Sequence, residues 1–456
     1  RLGGSALLAG DPRNAGVRPV FNAMHAGTAA LVVRCSGTSD VVQAVNFARE
    51  RGLPVTVRGG GHSIAGLSAG DGGVLIDLSP MSAARADPTR RLVHAQGGAL
   101  WGGVDRETQL FGLATPGGVV SDTGIGGLTL GGGYGWLRRR YGLACDNLVE
   151  AQLVAADGSV HTASAGSEPD LFWAIRGGGG NFGVATSLTY RLHPVGPEVA
   201  FAGCFHPAED VAAVLDRWRT FTAEAPDEVS SIVIVITLPH DPHVPEPVQG
   251  RACAIAAAVH AGGVDEGMLA LRPLRDIGTP LLDISGPMPY TVVQSAFDAL
   301  FARGSLRSYW KSQYLDTISD GAIDAFAGVA LDRPAPLTVV NVWHMGGAIN
   351  AVGPDETAFG ERSAGYLVSI DGNWPDPALD RDGVAWVRAA WGAIGRYGTG
   401  RSYLNFTGLS DEPASTSVDG AYGPNLARLA AVKAAYDPAN LFSRTNNITP
   451  ATTSGT

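Results

Sequence analysis

Three things are scarce in this sequence, and each removes a class of protein. Positive charge is outweighed: 33 Lys and Arg stand against 43 Asp and Glu, a net charge of −10. No basic face therefore offers itself to nucleic acid. Long apolar runs are missing, and the longest stretches, such as 231–238, have the length of a strand rather than of a membrane span. Cysteine is down to four residues, Cys35, Cys145, Cys204 and Cys253, widely spaced and without a CxxC pair. Such spacing fits free thiols, not a disulfide frame or a zinc site, and no metal site is expected. The chain opens at Arg1 without methionine, so a preceding segment is left open and no signal peptide can be read. The compartment stays undecided, with cytoplasm favoured over secretion.

What is present is an ordinary globular balance, 45% hydrophobic against 17% charged over 456 residues. That is too long for one simple core and excludes disorder and coiled coil. Glycine is abundant, 62 residues, and it comes in clusters. Clustered glycine marks tight turns or backbone pressed against a ligand.

The first cluster closes the stretch Leu53-Pro-Val-Thr-Val-Arg-Gly-Gly-Gly-His-Ser63. Val55 and Val57 alternate with Thr56 and Arg58, the period of a short strand with one buried face. Gly59, Gly60 and Gly61 end it in bare backbone able to meet an anion. His62 stands where the loop finishes. The same residues also suit a plain glycine turn with a surface histidine, and the loop alone does not choose. Upstream, Leu31–Arg34 with Cys35 reads as a strand, and Ser39 offers an N-cap to a helix striped by Val41, Val42, Val45, Phe47 and Ala48. This makes a β-α-β unit running into the glycine loop.

Residues 73–78 and 91–96 read as further strands, and 99–111 as a helix. The second cluster, 115–135, holds nine glycines around Ser121, Asp122 and Thr123, too many for a free-standing helix or strand. Residues 148–155 and 160–163 form a hairpin about Asp157-Gly158, and 170–175 a short helix. The third cluster, Arg176-Gly-Gly-Gly-Gly-Asn-Phe-Gly183, contains a formal GxGxxG at Gly178, Gly180 and Gly183. The dinucleotide fingerprint needs a strand before it and a helix after it; here the order is reversed, so a Rossmann reading fails.

Beyond residue 194 the glycine clusters stop. Helix spacing at 211–221 and strands at 231–238, 252–260, 308–315, 337–345 and 365–370, with helices such as 290–301 between them, give an α+β unit: an antiparallel sheet with helices on one face. A helix at 425–436 leads into a polar tail.

Arg58-Gly-Gly-Gly-His-Ser63, the run 124–135, Tyr141-Gly-Leu-Ala-Cys-Asp-Asn147, the third cluster and Tyr436-Asp-Pro-Ala-Asn-Leu-Phe442 together resemble the berberine-bridge-enzyme-like flavoprotein oxidases of the vanillyl-alcohol-oxidase superfamily, in order and over nearly the whole chain. The resemblance implies an α+β protein with a two-part PCMH-type FAD-binding domain (1–195, core about 27–195, completed by 411–456) interrupted by a substrate domain (196–410). It implies FAD held through an 8α-histidyl bond to His62. Arg58, Gly59, Gly60, Gly61 and Ser63 would share in binding the cofactor from one side. Pro116, Gly117, Gly118, Ser121, Asp122, Thr123, Gly126, Gly127, Gly132, Gly133, Tyr134 and Gly135 would bind it from the other, with Val184, Asn446 and Asn447. Many relatives add a cysteinyl link before the second cluster. Val120 occupies that place here, so a single tether is expected, and Cys145 reads as a small core residue.

The implied reaction is hydride transfer from an alcohol or amine C–H of a small secondary metabolite, with O2 as reoxidant and H2O2 as product. Tyr403 matches a Tyr-x-Asn segment facing the flavin and is the expected base, its pKa lowered towards neutrality. Asn341 takes the place of a glutamate thought to act as base or substrate ligand in several relatives. It cannot accept a proton at neutral pH, but it remains a catalytic candidate for orienting substrate. Trp343 shares its strand face, and Lys311, Tyr314 and Tyr422 complete the expected substrate contacts. A flavin dehydrogenase with another acceptor, an oligosaccharide or sugar-alcohol oxidase and a non-catalytic flavin-bound scaffold are the competing readings. The expected partners are a small-molecule substrate and O2, with neither nucleic acid nor membrane, in a monomer or homodimer.

Overall fold

The computed structural model describes residues 2–13, 19–242, 244–409, 418 and 420–452. Of the expected C-terminal segment, 411–417, 419 and 453–456 lie outside the described residues. No helix among those described is long and apolar enough to cross a membrane.

Two small sheets come first. Leu31–Arg34 and Val55–Arg58 both run parallel to Val74–Asp77, which lies between them, and Ser5–Leu8 pairs antiparallel on the outer edge. The helix Thr38–Glu50 makes the crossover. Both faces of Val55–Arg58 are covered: Val55, Thr56 and Arg58 are all buried, so the expectation of one buried face does not hold. A parallel strand flanked by crossovers is enclosed on both sides. Ser39 is not the cap either. Gly37 is the N-cap residue without a side-chain bond, and Asp40 in the first turn accepts from the amides of Gly3 (2.7 Å), Gly4 (2.9 Å) and Ser36 (2.9 Å). The second sheet is antiparallel, in the order Ala84–Asp87, Leu92–Gln96, Val184–Arg191, Leu148–Val154, Val160–Ser164. The third glycine cluster lies after the helix Pro169–Ala174 and before the strand Val184–Arg191, the order that rules out a Rossmann turn.

The large sheet follows, eight-stranded and antiparallel, with the central order Glu198–Pro207, Ala252–His260, Val229–Thr237, Val339–His344, Tyr366–Trp374, Arg307–Leu315. Helices Val211–Glu224, Asp320–Leu331 and Asp380–Gly395 cover one face, burying Val233, Val235, Val340 and Val342 with Trp218, Phe326 and Val387. The other face carries Ile232, Ile234, Ile236, Val339 and Trp343 towards Tyr134, Trp136 and Tyr403. Residues 290–301 are not one helix: Tyr290–Gln294 is helical, and a 3-10 turn at Asp298–Phe301 follows. The helix Leu426–Tyr436 returns to the first half, where Leu429, Val432 and Ile448 pack in the core containing Trp173 and Leu188.

Candidate active site

A single cleft runs from the first glycine loop, past the second and third clusters, to the large sheet. Its near wall is backbone. Gly60 and Gly124 lie back to back: a methyl on Gly60 would sit 2.3 Å from the Cα of Gly124. No side chain fits there, which explains why the two loops share glycine. Gly61 has a φ of +70°, and its carbonyl accepts from the Phe21 amide (2.8 Å). Phe21 also stacks on the His62 ring, centroids 4.1 Å apart. The imidazole is thus held against a buried aromatic at the mouth of the loop.

The cleft gathers Gly59, Gly60, Gly61, His62, Ser63, Gly118, Thr123, Gly126, Gly127, Tyr134 and Asn446 from the expected set. Several other residues of that set are occupied elsewhere. Arg58 donates to the carbonyls of Ser68 and Ala69 (both 3.1 Å) and braces the following loop. Ser121 donates through its amide to Asp298 (2.8 Å), and Asp122 accepts from Arg303 (2.8 Å). Both tie the second cluster to the 290–303 segment. Gly117, Gly132, Gly133 and Gly135 are packed too closely for a side chain: an added methyl would meet Trp101, Phe359, Leu128 and the Gly117 carbonyl within 3 Å. These glycines shape the wall from behind. Pro116, Val184 and Asn447 also stand outside the lining, where Gly179, Gly180, Gly183 and Ala185 take part instead.

The far wall is the large sheet. Strand alternation places Val339, Asn341 and Trp343 in the cleft as the sequence pattern requires. Asn341 accepts from the Trp343 indole (2.5 Å) and donates to Asp371 (2.8 Å) on the adjacent strand. Asp371, buried and also bonded by the Ser369 hydroxyl, is the group sequence reasoning missed. Burial raises its carboxyl to about 7, against the lowering effect of its two hydrogen bonds. The trace in the sequence is slight: one carboxylate directly after the strand pattern that ends at Ile370, in a stretch otherwise without charge to Trp374. Trp310, which donates to Asn373 (3.0 Å), is a second unanticipated lining residue.

Tyr403 lines the cleft with its ring against Tyr134, centroids 4.3 Å apart. Its hydroxyl accepts from the Gly133 amide (3.0 Å) and from Asn405 (2.7 Å). Burial pushes that hydroxyl up, not down, so the lowered pKa expected of it is absent. Tyr314 lies behind the lining, bonded to the Tyr134 hydroxyl. Lys311 projects from the opposite face of the same strand, its ammonium 4.6 Å from the Trp391 ring centre. Positions 311 and 314 differ by an odd number, so one strand cannot present both to one cavity. Tyr422 does reach the cleft, fully buried. Cys145 is buried, its thiol raised by burial and outside the lining, whereas Val120 lines the cleft.

Residues 29–164 match the family described as FAD binding domain, and 402–449 the one described as berberine and berberine like. The FAD-linked oxidoreductase YgaK of Bacillus subtilis is 30% identical over 458 residues, covering 99% of this chain and 98% of its own. The chain belongs to the berberine-bridge-enzyme-like FAD-linked oxidoreductases. Another member, (R)-6-hydroxynicotine oxidase of Paenarthrobacter nicotinovorans, is 29% identical over 463 residues, 98% of this chain and 97% of its own. The crystal structure of 6-hydroxy-D-nicotine oxidase from Arthrobacter nicotinovorans superposes with a TM-score of 0.86 at 28% identity, covering 99% of each chain. A chitooligosaccharide oxidase shares the fold at TM-score 0.86 and 22% identity, covering 98% of each chain.

FAD is the cofactor of this oxidoreductase family, and the cleft fits it. The glycine wall at Gly60 and Gly124 has no room for side chains on its inner side, leaving backbone as the surface offered. Among the described residues, the buried hydroxyl of Tyr422, which lines the cleft, has no protein partner. A buried polar atom of this kind calls for a ligand or water.

Proposed function

We propose that this flavoprotein is an oxidase of small secondary metabolites, removing a hydride from a carbon that bears a hydroxyl or an amine nitrogen. In this reading Asp371 is the base and His62 the single covalent tether. FAD, when bound, supplies a hydride acceptor and a route for the electrons to O2, with H2O2 as product.

The observation that carries the reading is the carboxyl of Asp371 on the sheet wall of the cleft, buried and raised to about 7. A base works best with a pKa near the operating pH. Asn341 and Ser369 fix the carboxyl by hydrogen bonds, and the Trp343 indole fixes Asn341 in turn. The proton of the substrate's O–H or N–H passes to an Oδ atom of Asp371. Asn341 thus acts through Asp371 as a positioning residue. Tyr403, its hydroxyl raised by burial against the lowering effect of the two hydrogen bonds it accepts, serves as wall and not as base.

The test is anaerobic flavin reduction followed by absorbance. Wild-type rates should climb with pH up to about 7 and level off above it, because the carboxyl must be ionised to accept the proton. Asp371→Asn should lose about 10²–10⁴-fold in rate and the pH dependence with it, while Tyr403→Phe changes the rate less than tenfold. Equal rates for Asp371→Asn and wild type would remove Asp371 as base. Peroxide release under air separates the oxidase from a dehydrogenase using another acceptor.

A further inference from the structure

The sheet wall of the cleft has a composition that restricts what can lie against it. Ile232, Ile234 and Ile236 project from one strand, Ile255 from its neighbour, and Trp343 and Phe301 line the same cleft. The polar groups among them are nearly all committed. Asn341 has its oxygen on the Trp343 indole and its amide nitrogen on Asp371. The Trp310 indole donates to Asn373. The Tyr403 hydroxyl oxygen accepts from Gly133 and Asn405, which leaves it only its proton to donate. Asp371 is left as the group able to meet a substrate donor. Among the described residues the one Arg or Lys lining the cleft is Arg444, which stands beside Thr445 and Asn446 in the C-terminal segment and not on the sheet.

A sugar finds too few counterparts here, one carboxylate acceptor and one phenol donor on the wall. A hexose presents several hydroxyls, and each one buried without a partner weakens binding by about tenfold or more. A carboxylate or phosphate ester would find no cation on the sheet wall. We infer that the substrate is a predominantly apolar ring compound carrying one hydroxyl or amine nitrogen beside the oxidised carbon, and not a mono- or oligosaccharide. The isoleucine ladder holds the ring system, and Asp371 takes the single donor. This rests on reading the cleft as the substrate site, as proposed above.

The test uses the flavin-loaded protein, its flavin first reduced with dithionite for isothermal titration calorimetry under nitrogen so that binding is read apart from turnover, and left oxidised in parallel to read bleaching. The probes are indanol, a bicyclic secondary alcohol, and tetrahydroisoquinoline, a bicyclic amine, set against glucose and diacetylchitobiose. At least one bicyclic probe should bind about 100-fold or more tightly than either sugar. Ile234→Asn, and independently Ile255→Thr on the next strand, should weaken that probe about tenfold, the visible flavin spectrum reporting an intact fold. Sugars binding as well as the bicyclic probes, no binding by either bicyclic probe, or indifference to both substitutions would each overturn the inference. Tight indanol binding without flavin bleaching would leave it standing and count against the catalytic role of Asp371. Bleaching by glucose would do the reverse.

Discussion

His62 illustrates what one residue can and cannot disclose. Its loop, Gly59 to Gly61, is legible as bare backbone because three glycines end a strand; the stacking partner Phe21, 41 positions upstream, is not. With the proposed single tether at His62, acid precipitation of the wild type should carry the yellow flavin into the pellet. His62→Ala should release it to the supernatant, as absorbance of the two fractions would show. Flavin retained in the pellet of the variant would place the bond elsewhere. Asp371 was missed for a plain reason: the sequence pattern supports a strand only to Ile370, and the strand continues to Trp374. An aspartate looks like the end of an apolar run until its neighbours Ser369 and Asn341 are seen to bond it. Lys311 is set apart from Tyr314 by strand parity alone, which the sequence already contains.

At the scale of elements, the third glycine cluster and the C-terminal motif turn out to be one construction. Asn181, inside the cluster, donates to the Asn446 carbonyl (3.0 Å) and accepts from the Ile448 amide (2.9 Å). Lys433, in the helix Leu426–Tyr436, reaches the Asn181 carbonyl (2.7 Å) and the Asp437 carboxylate (2.5 Å), with both charged side chains fully buried. Asp437 in turn accepts from the amides of Leu441 and Phe442 (2.7 and 2.8 Å). The motifs were readable as patterns, but the bonds joining them span more than 250 residues and have no local trace. Lys433→Met leaves a buried carboxylate unpaired and should lower unfolding free energy by about 3–5 kcal/mol in denaturant titration; a change below about 1 kcal/mol would show that water reaches the pair. Local periodicity misled elsewhere. Glu198–Pro207 is buried along almost its whole length, with no alternation to reveal it as a strand.

Across the whole molecule, the two halves are joined by polar groups buried where the large sheet meets the glycine-rich half. Arg138 donates to the carbonyls of Gly135, Ser231 and His344 (3.0, 2.6 and 2.8 Å). Asp105, in the helix Trp101–Gln109, accepts from Gln294 (3.0 Å) across the same boundary. Among the described residues its other carboxyl oxygen has no partner, and neither has the buried Tyr290 hydroxyl. Burial raises Asp105 from 3.8 to about 7. The unfolded chain releases this proton near the ordinary value, whereas the folded protein keeps it until about 7. Between those limits the folded state binds more protons, so the contribution of Asp105 to stability is present below about pH 4 and is lost as pH rises to about 7. The full loss is on the order of 4 kcal/mol. Asp105→Asn keeps the shape without the titration. Its melting temperature should match wild type near pH 4, rise above it progressively towards pH 7, and hold a constant lead beyond. Thermal scans at half-unit intervals would read this directly. A gap that does not change with pH would mean that Asp105 is hydrated and already ionised in the folded protein, and that the boundary between the halves is wet at this point.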